Sequence, residues 1–302
     1  MDGSYSSSRT VTWSSSGVDL TPSCSIDGTP SSCATQTSWT SSYLSQGSHT
    51  FQVKMVDAYG QTSPAAQTTW VLDTVAPVAP VLSGAPPAYT NATSATLSWS
   101  GETGATFSCS VDGGTYASCS SPQALSGLSD GAHSLAVKQT DQAGNSSPAA
   151  TASWTVDTLA PDALSLSGAP SGLVNTTSAS ISWSGEANAT FSCSVDGGAY
   201  ASCTSPKSLG SLTDGAHSLA VKQTDRAGNT SSAATASWTV DATAPSALVL
   251  SGVPDAYTSA NSASLTWDGE AGAVFSCSSD GGSTYSACSS PKTYSGLADG
   301  SY

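Results

Sequence analysis

Charge is scarce in this sequence, and positive charge is the scarcest. Only 9% of the 302 residues are charged, and 7 Lys and Arg stand against 21 Asp and Glu, giving a formal net charge of −14. A protein that binds nucleic acid needs clustered basic residues to neutralise phosphates. The composition therefore predicts that nucleic acid is not a partner. Since charged side chains are few, most of the surface is Ser, Thr, Ala and Gly, and we expect chains to associate side by side.

Long apolar runs and helical periodicity are also missing. No stretch approaches the roughly 20 apolar residues of a membrane-spanning helix, so we expect no membrane insertion in this segment. Gly, Ser and Thr interrupt every window, and apolar residues recur with a period close to two, which is typical of strands. The sequence therefore predicts an all-β protein.

A repeat of 84 residues organises the chain. Trp99, Trp183 and Trp267 lie 84 residues apart, and so do Cys109 and Cys193. Each copy contains two cysteines around an Asp-Gly pair, which predicts two antiparallel strands joined by a tight hairpin. The repeats are predicted at residues 1–74, 75–158, 159–242 and 243–302.

The cysteines number eight, two in each repeat. We expect one disulfide per hairpin rather than zinc, because a zinc site needs closer CxxC spacing and two further ligands per repeat. The predicted pairs are Cys24 with Cys33, Cys109 with Cys119, Cys193 with Cys203, and Cys277 with Cys288. A loop of about ten residues closed in this way gains roughly 3 kcal/mol in the chain-entropy model. Four disulfides indicate a location outside the cytosol.

The third repeat predicts seven short strands. They fall near residues 163–166, 179–183, 190–195, 200–203, 208–212, 217–224 and 234–240, and residues 174–175 form a short continuation of the first. Short strands separated by turn signals every 8 to 12 residues predict an immunoglobulin-like β-sandwich. The fold expected is thus a tandem array of seven-stranded sandwiches, each with a hairpin disulfide.

The linkers between repeats are short and contain proline. Pro77, Pro161 and Pro245 fix φ and favour extended neighbours, so we expect successive sandwiches to stack end to end with little bending. At about 3.3 Å per strand residue, four repeats would make a rod of about 150 Å. Repeat 1 lacks its opening strand and repeat 4 its last two, and no export signal follows Met1. We therefore expect a longer parent array.

The loop after the sixth strand has the sequence Asp-Gln-Ala-Gly-Asn at 141–145 and Asp-Arg-Ala-Gly-Asn at 225–229. Calcium is one interpretation, because Asp oxygens there and at Asp157 and Asp241 would supply ligands. We favour a turn in which Asp accepts backbone N–H bonds and Gly takes positive φ. No metal or other cofactor is therefore expected.

Histidine occurs three times, at one equivalent position in each of the first three repeats: His49, His133 and His217. A repeated position predicts a structural role at the start of a strand, because catalysis would need different partners meeting at one site. We expect no enzymatic activity.

Five of the six asparagines begin Asn-x-Ser/Thr, the acceptor sequence for N-glycosylation: Asn91, Asn145, Asn175, Asn188 and Asn229. They are predicted glycosylation sites if the source is eukaryotic.

Three motifs carry a resemblance to a known class of repeat: FSCSVDGGxYxxCxSP, LxDGAHSLAVKQTDxAGN and WTVDxxAP. Together they resemble the extracellular immunoglobulin-like repeats found in tandem in bacterial adhesins and in algal and protist surface proteins. The resemblance implies a spacer or polymer role outside the cell, as in surface filaments such as flagellar hairs (mastigonemes), adhesin stalks and wall proteins. The leading hypothesis is a structural subunit of an extracellular filament that associates with itself or other subunits. The alternatives are the stalk of a cell-surface adhesin and an accessory module of an extracellular enzyme.

Overall fold

The computed structural model describes residues 4–6, 10–17, 19–33, 37–40 and 44–302. Every regular element within these residues is a β-strand. The chain divides into two compact units. The first comprises Met1–Ala163, Gly185–Phe191 and Lys222–Ser232, and the second comprises Leu164–Ser184, Ser192–Val221 and Ala233–Tyr302. The four repeat boundaries stay a prediction, and the repeat numbers serve below as names for those sequence ranges.

Repeat 1, in the first unit, contains seven described strands. They are β1 (Ser4–Ser6), β2 (Thr10–Thr12), β3 (Thr21–Ile26), β4 (Thr29–Ser31), β5 (Ser38–Thr40), β6 (Gly47–Val56) and β7 (Ala66–Leu72). One sheet has the order β1-β7-β6-β3-β4, and β2 pairs with β5 in a second. Strand β1 runs parallel to β7, whereas the other pairings are antiparallel.

Repeat 2, also in the first unit, has eight strands. They are β8 (Val81–Ser83), β9 (Tyr89–Thr90), β10 (Ser94–Ser100), β11 (Thr106–Val111), β12 (Ala117–Ser118), β13 (Gln123–Ser126), β14 (Gly131–Thr140) and β15 (Ala150–Val156). The two sheets have the orders β13-β10-β8 and β12-β11-β14-β15-β9. Short β9 pairs parallel with β15 through Tyr89 opposite Thr155, as β1 does with β7.

The second unit holds most of repeat 3 and all of repeat 4. The repeat 3 strands are β16 (Gly172–Val174), β17 (Ala179–Ile181), β18 (Thr190–Val195), β19 (Ala201–Ser202), β20 (Lys207–Leu209), β21 (Gly215–Thr224) and β22 (Ala234–Val240). Their sheets have the orders β16-β22-β21-β18-β19 and β17-β20. Repeat 4 contains β23 (Ser262–Leu265), β24 (Phe275–Cys277), β25 (Ser286–Cys288) and β26 (Lys292–Ser295), as the pairs β23-β26 and β24-β25.

Side chains that alternate along these strands build the core between the two sheets. In repeat 2, Leu135 and Val137 of β14 are fully buried, as is Leu97 of β10 on the facing sheet. Trp99 and Trp154 complete the same cluster. Aromatic and branched side chains bury the most apolar surface per residue, so these few residues supply most of the hydrophobic stabilisation of a light core. The chain is confirmed as an all-β array of immunoglobulin-like sandwiches.

The first strand of repeat 3 differs from the expectation. Residues 163–166 form no ladder, and the edge is held by an isolated bridge between Ser167 and Ser182. The linker side chains alternate there, but only the two serine N–H groups reach carbonyls across the gap, each at 2.9 Å. Six other predicted strands of repeat 3 appear within a few residues of their expected ends.

Repeat 4 keeps the local pattern of the others and buries far less. Trp267 is 6% exposed, close to the 7% of its counterpart Trp183. Leu248, by contrast, is 47% exposed, whereas its counterpart Leu164 in repeat 3 is 8% exposed. The counterparts of β21 and β22 lie beyond Tyr302, so these leucines lack the sheet that covers them in repeat 3.

Candidate functional site: the junctions between repeats

The hairpins carry all the cysteines, paired as expected. The sulfurs lie within bonding distance in each repeat, with Cα atoms 5.7 to 5.8 Å apart: Cys24–Cys33, Cys109–Cys119, Cys193–Cys203 and Cys277–Cys288. In repeat 2, Asp112 and Gly113 both adopt positive φ, at 51° and 72°, and Gly114 N–H donates to Val111 O at 2.9 Å. This geometry is a type I′ turn, which matches the twist of a hairpin.

The loop at 141–145 is a turn built around Asp141. Its Oδ1 accepts the N–H groups of Ala143 and Asn145, both at 2.8 Å, and Gly144 takes φ of 94°. Burial works against ionisation of Asp141, but hydrogen bonds from the side chain and backbone of Asn145 and from the Ala143 N–H outweigh it and lower the pKa of the carboxyl. The structure thus gives the aspartate the role that the turn interpretation assigns to it. The loops at 141–145 and 225–229 are called junction loops below.

An asparagine at the end of each junction loop reaches the preceding repeat. Asn145 Nδ2 donates to the Asp73 carbonyl at 3.1 Å and to Asp141 Oδ2 at 2.9 Å. Asn229 Nδ2 donates to the Asp157 carbonyl at 2.7 Å and to Asp225 Oδ2 at 2.8 Å. Asp73 and Asp157 directly follow the last strands of repeats 1 and 2. Each asparagine therefore ties a loop of one repeat to the end of the repeat before it.

A buried glutamine anchors the linker at each of these two junctions. Gln139 is 1% exposed; its Nε2 donates to the Val78 carbonyl of the linker at 2.7 Å, and its Oε1 accepts the Glu102 N–H at 2.8 Å. Gln223, 4% exposed, makes the same two bonds. A buried amide left unpaired would cost about 1–3 kcal/mol. The linker must therefore keep one position for the glutamine to stay satisfied.

Those bonds of Gln223 join it to the Asp162 carbonyl at 2.8 Å and to the Glu186 N–H at 3.0 Å. A glycine makes room for the amide in both repeats: a Cβ on Gly101 would overlap Gln139 Oε1, and one on Gly185 would overlap Gln223 Oε1. The glutamine and the glycine thus form one packing unit.

The linker start is fastened from the other side, by the repeat it leaves. Asp130 Oδ1 accepts both the N–H and the hydroxyl of Thr158, each at 2.9 Å. In repeat 3, Asp214 accepts the Ala242 N–H at 2.7 Å and the Thr243 hydroxyl, and the bond from Thr243 lowers the pKa of Asp214. Side chains of both flanking repeats therefore bind the linker that joins repeats 2 and 3.

The two junction loops differ at one exposed position. Arg226 places its guanidinium 3.9 Å from the ring centroid of Tyr89, near the end of repeat 2. The equivalent residue of the other loop is Gln142, which carries no charge. A cation–π contact at an exposed site contributes about 0.5–1 kcal/mol. This substitution gives the second junction a contact that an uncharged Gln142 does not offer.

Metal binding finds no support in the part of the chain that the structure describes. No three or more His, Cys, Asp or Glu side chains cluster there in a way that would hold a metal ion. The linker aspartates have local partners instead, since Asp73 Oδ1 accepts the Val75 N–H at 3.0 Å and Asp157 Oδ1 accepts the Leu159 N–H at 3.1 Å.

The predicted glycosylation sites fall into two groups. Asn91, Asn175 and Asn188 are exposed. Asn145 and Asn229 are half-buried, and both hydrogens of each amide are donated at a junction. Because an N-linked glycan replaces one of these hydrogens, glycosylation there would break a junction bond. Glycosylation stays a prediction, and it now favours the three exposed asparagines.

The junction glutamines were missed from the sequence, although a signal was present. Strand β21 buries Leu219 and Val221, and Gln223 is the next residue on the same face. A polar residue at an inward position must find partners. That rule points to a specific contact but does not say with which group.

A bacterial Ig-like domain family model matches residues 80–158, which is repeat 2. No curated protein matches the chain. Similar solved structures include the fibronectin(III)-like modules of Clostridium thermocellum CbhA, with 18% identity over 51% of this chain and 90% of theirs and a TM-score of 0.32. The FN1–FN3 domains of chicken CNTN1 are 10% identical over 79% of this chain and 96% of theirs, with a TM-score of 0.31. The chain consists of tandem immunoglobulin-like repeats.

Among the described residues, no helix has the length and apolar character needed to traverse a bilayer.

Proposed function

We propose that this protein is a structural subunit of an extracellular filament or cell-surface appendage, in which stiff immunoglobulin-like repeats set length. The observation that carries the proposal is the pair of bonds from one repeat to the end of the preceding one, Asn145 to Asp73 and Asn229 to Asp157. A linker with no side-chain contacts would let its neighbours swing freely. Bonds from both flanking repeats oppose that freedom and favour a stiff spacer.

The extracellular assignment is supported by the hairpins. Four cysteine pairs at bonding distance in a light sandwich suit an oxidising environment, where such bonds persist. A surface with only 9% charged residues favours lateral packing against a second copy of the chain or another filament subunit. Immunoglobulin-like modules are typically non-catalytic, so we assign the protein no reaction. Glycans on Asn91, Asn175 and Asn188 would lie on the outside of such an assembly.

Two measurements on the oxidised chain test the proposal. Small-angle scattering of the dilute protein should give a maximum dimension near the expected ~150 Å, which follows from about 3.3 Å per strand residue. Negative-stain images taken at rising concentration should show fibres or lateral bundles. A compact particle in scattering would contradict the stiff spacer itself.

Elongated particles that stay single at every concentration would contradict the filament and favour the adhesin stalk. The matched control is the double variant Gln139→Met with Gln223→Met. It removes the buried amides while leaving both sandwiches and their disulfides in place. Scattering from this variant should show a broader distribution of lengths if the junction bonds cause the stiffness.

A further inference from the structure

Each of the first three repeats contains a buried histidine between two acceptors. His133 Nδ1 lies 2.9 Å from Asp112 Oδ2, and His133 Nε2 lies 2.7 Å from the Ser129 carbonyl. A carbonyl oxygen only accepts, so Nε2 must carry a hydrogen. A carboxylate beside Nδ1 also prefers a donor. Both ring nitrogens are therefore placed to donate, which is the bonding pattern of the charged imidazolium.

The same arrangement occurs in repeats 1 and 3. His49 lies 2.6 Å from Asp27 Oδ2 and 2.7 Å from the Ser45 carbonyl. His217 lies 3.0 Å from Asp196 Oδ2 and 2.7 Å from the Thr213 carbonyl. The three imidazole side chains are only 6–10% exposed, so water cannot easily replace a lost partner.

The two acceptors belong to different parts of the sandwich. Asp112 is the first residue of the hairpin turn closed by the disulfide, and its Oδ1 also accepts the Ser134 N–H at 2.7 Å. Ser129 precedes Asp130, the residue that binds Thr158 at the start of the linker. His133 therefore connects the disulfide hairpin with the loop that fastens the next linker.

Few charges surround these rings. His133 faces Asp112 from the hairpin, with Asp130 in the adjoining loop and the neutral Trp154 ring 6.3 Å away on β15. His217 has the equivalent Asp196, Asp214 and Trp238. In repeat 1, His49 faces Asp27 and Trp70, and the position of Asp130 is taken by the neutral Gln46. Lys54, Lys138 and Lys222 lie on the same strands as the histidines but on the opposite face of the sheet.

We propose that His49, His133 and His217 are pH-operated clamps: the protonated ring joins the disulfide hairpin to the linker-fastening loop, and the neutral ring releases the hairpin aspartate. A neutral imidazole that keeps its Nε2–H turns a lone pair at Nδ1 toward the carboxylate, so the contact with the hairpin is the one lost. The inference concerns the interior of each repeat and does not rest on filament assembly.

The direction of the pKa shifts agrees with this geometry. The Ser129 carbonyl and then Asp112 raise the pKa of His133, and Thr213 and then Asp196 do the same for His217. Asp27 and then Ser45 raise the pKa of His49. A raised folded-state pKa gives stability that is complete below the unfolded value of about 6.5 and is lost as pH rises through the folded value. The clamps should therefore open above neutral pH.

The test uses the oxidised full chain and two NMR readouts. Titration of the ring carbons should place the pKa of all three histidines above about 6.5, the unperturbed value. Amide exchange, corrected for the intrinsic effect of pH, should show loss of protection at Ser134 and Ser218 between roughly pH 6 and 9. The loss should reach about tenfold for each unit by which the pKa is raised.

Variants separate the clamps from one another. In His133→Gln the pH response at Ser134 should disappear, while the response at Ser218 in repeat 3 of the same molecule persists. A pH response at Ser134 that survives in His133→Gln would overturn the proposal. If that variant fails to fold, the wild-type titration decides alone, because a histidine pKa at or below about 6.5 would equally overturn it.

Discussion

The loop at 57–61 in repeat 1 and the junction loop at 141–145 in repeat 2 have one backbone and different uses. Asp57 Oδ1 accepts the N–H groups of Tyr59 and Gln61 at 2.9 and 2.8 Å, as Asp141 does for Ala143 and Asn145. Gly60 and Gly144 both take positive φ, at 82° and 94°. The following serine fixes the loop in both cases, because Ser63 and Ser147 each accept a strand N–H at 3.0 Å.

The side chains that project from this common loop are not the same. Where repeat 2 has buried Gln139 and Asn145, repeat 1 has half-buried Met55 and exposed Gln61. Where repeat 2 has Ala143, repeat 1 has Tyr59, which is 91% exposed. An aspartate and a glycine therefore determine the loop shape, whereas two amides determine whether the loop binds a linker.

The largest effect is expected from converting repeats 2 and 3 to the repeat 1 residue. Gln139→Met or Gln223→Met leaves a linker carbonyl and a buried N–H without their partner, and each should cost about 1–3 kcal/mol. Denaturant unfolding with the disulfides intact measures this cost. Met55→Gln is the matched control and should change stability by less than about 0.5 kcal/mol. Equal losses in all three variants would mean that the amides contribute nothing special.

The asparagines should matter somewhat less. Asn229→Gln keeps the amide but lengthens the side chain, so the bond to the Asp157 carbonyl is lost and we expect a cost of about 0.5–1.5 kcal/mol. Exchange of the Asp225 loop amides should rise with it. The reverse change Gln61→Asn in repeat 1 should be close to neutral. Unchanged loop protection in Asn229→Gln would show that the bond across the junction is not formed in solution.

The contact that distinguishes the second junction from the first should be weaker again. Arg226→Gln gives the junction loop of repeat 3 the residue found in repeat 2 and removes the stacking on Tyr89. A loss of about 0.5–1 kcal/mol is expected, because the site is exposed. Tyr89→Leu should cost little more once Arg226 has been replaced, and a double-mutant cycle measures the coupling. Strict additivity would contradict the contact.

The smallest effect concerns the side of the linker that leaves each repeat. Gln46 binds the N–H of Thr74 at 3.0 Å in repeat 1, as Asp130 binds Thr158 in repeat 2. Asp130→Gln should therefore stay within about 0.5 kcal/mol of the wild type, whereas Asp130→Ala should lose about 1 kcal/mol. A large loss in Asp130→Gln would mean that the charge of Asp130, and not its acceptor oxygen, fastens the linker.

Most of the fold could be predicted because its signals are local. Alternation along residues 215–224 and 234–240 gave two strands, and the Asp-Gly pairs with flanking cysteines gave the hairpins. The strand expected at 163–166 failed because alternation does not reveal whether a partner strand is within reach, and only Ser167 found one. The structural role predicted for the histidines gave no partner, since Asp112 lies 21 residues before His133.

The sequence alone determined the period, the sandwich class, the hairpins and the pairing of cysteines, because each depends on residues within about ten positions of one another. Only the tertiary structure decided what Gln139, Asn145 and His133 do. Their partners lie 61, 72 and 21 residues away along the chain. Such bonds form only after the sheets have packed, since folding brings together groups that no local pattern relates.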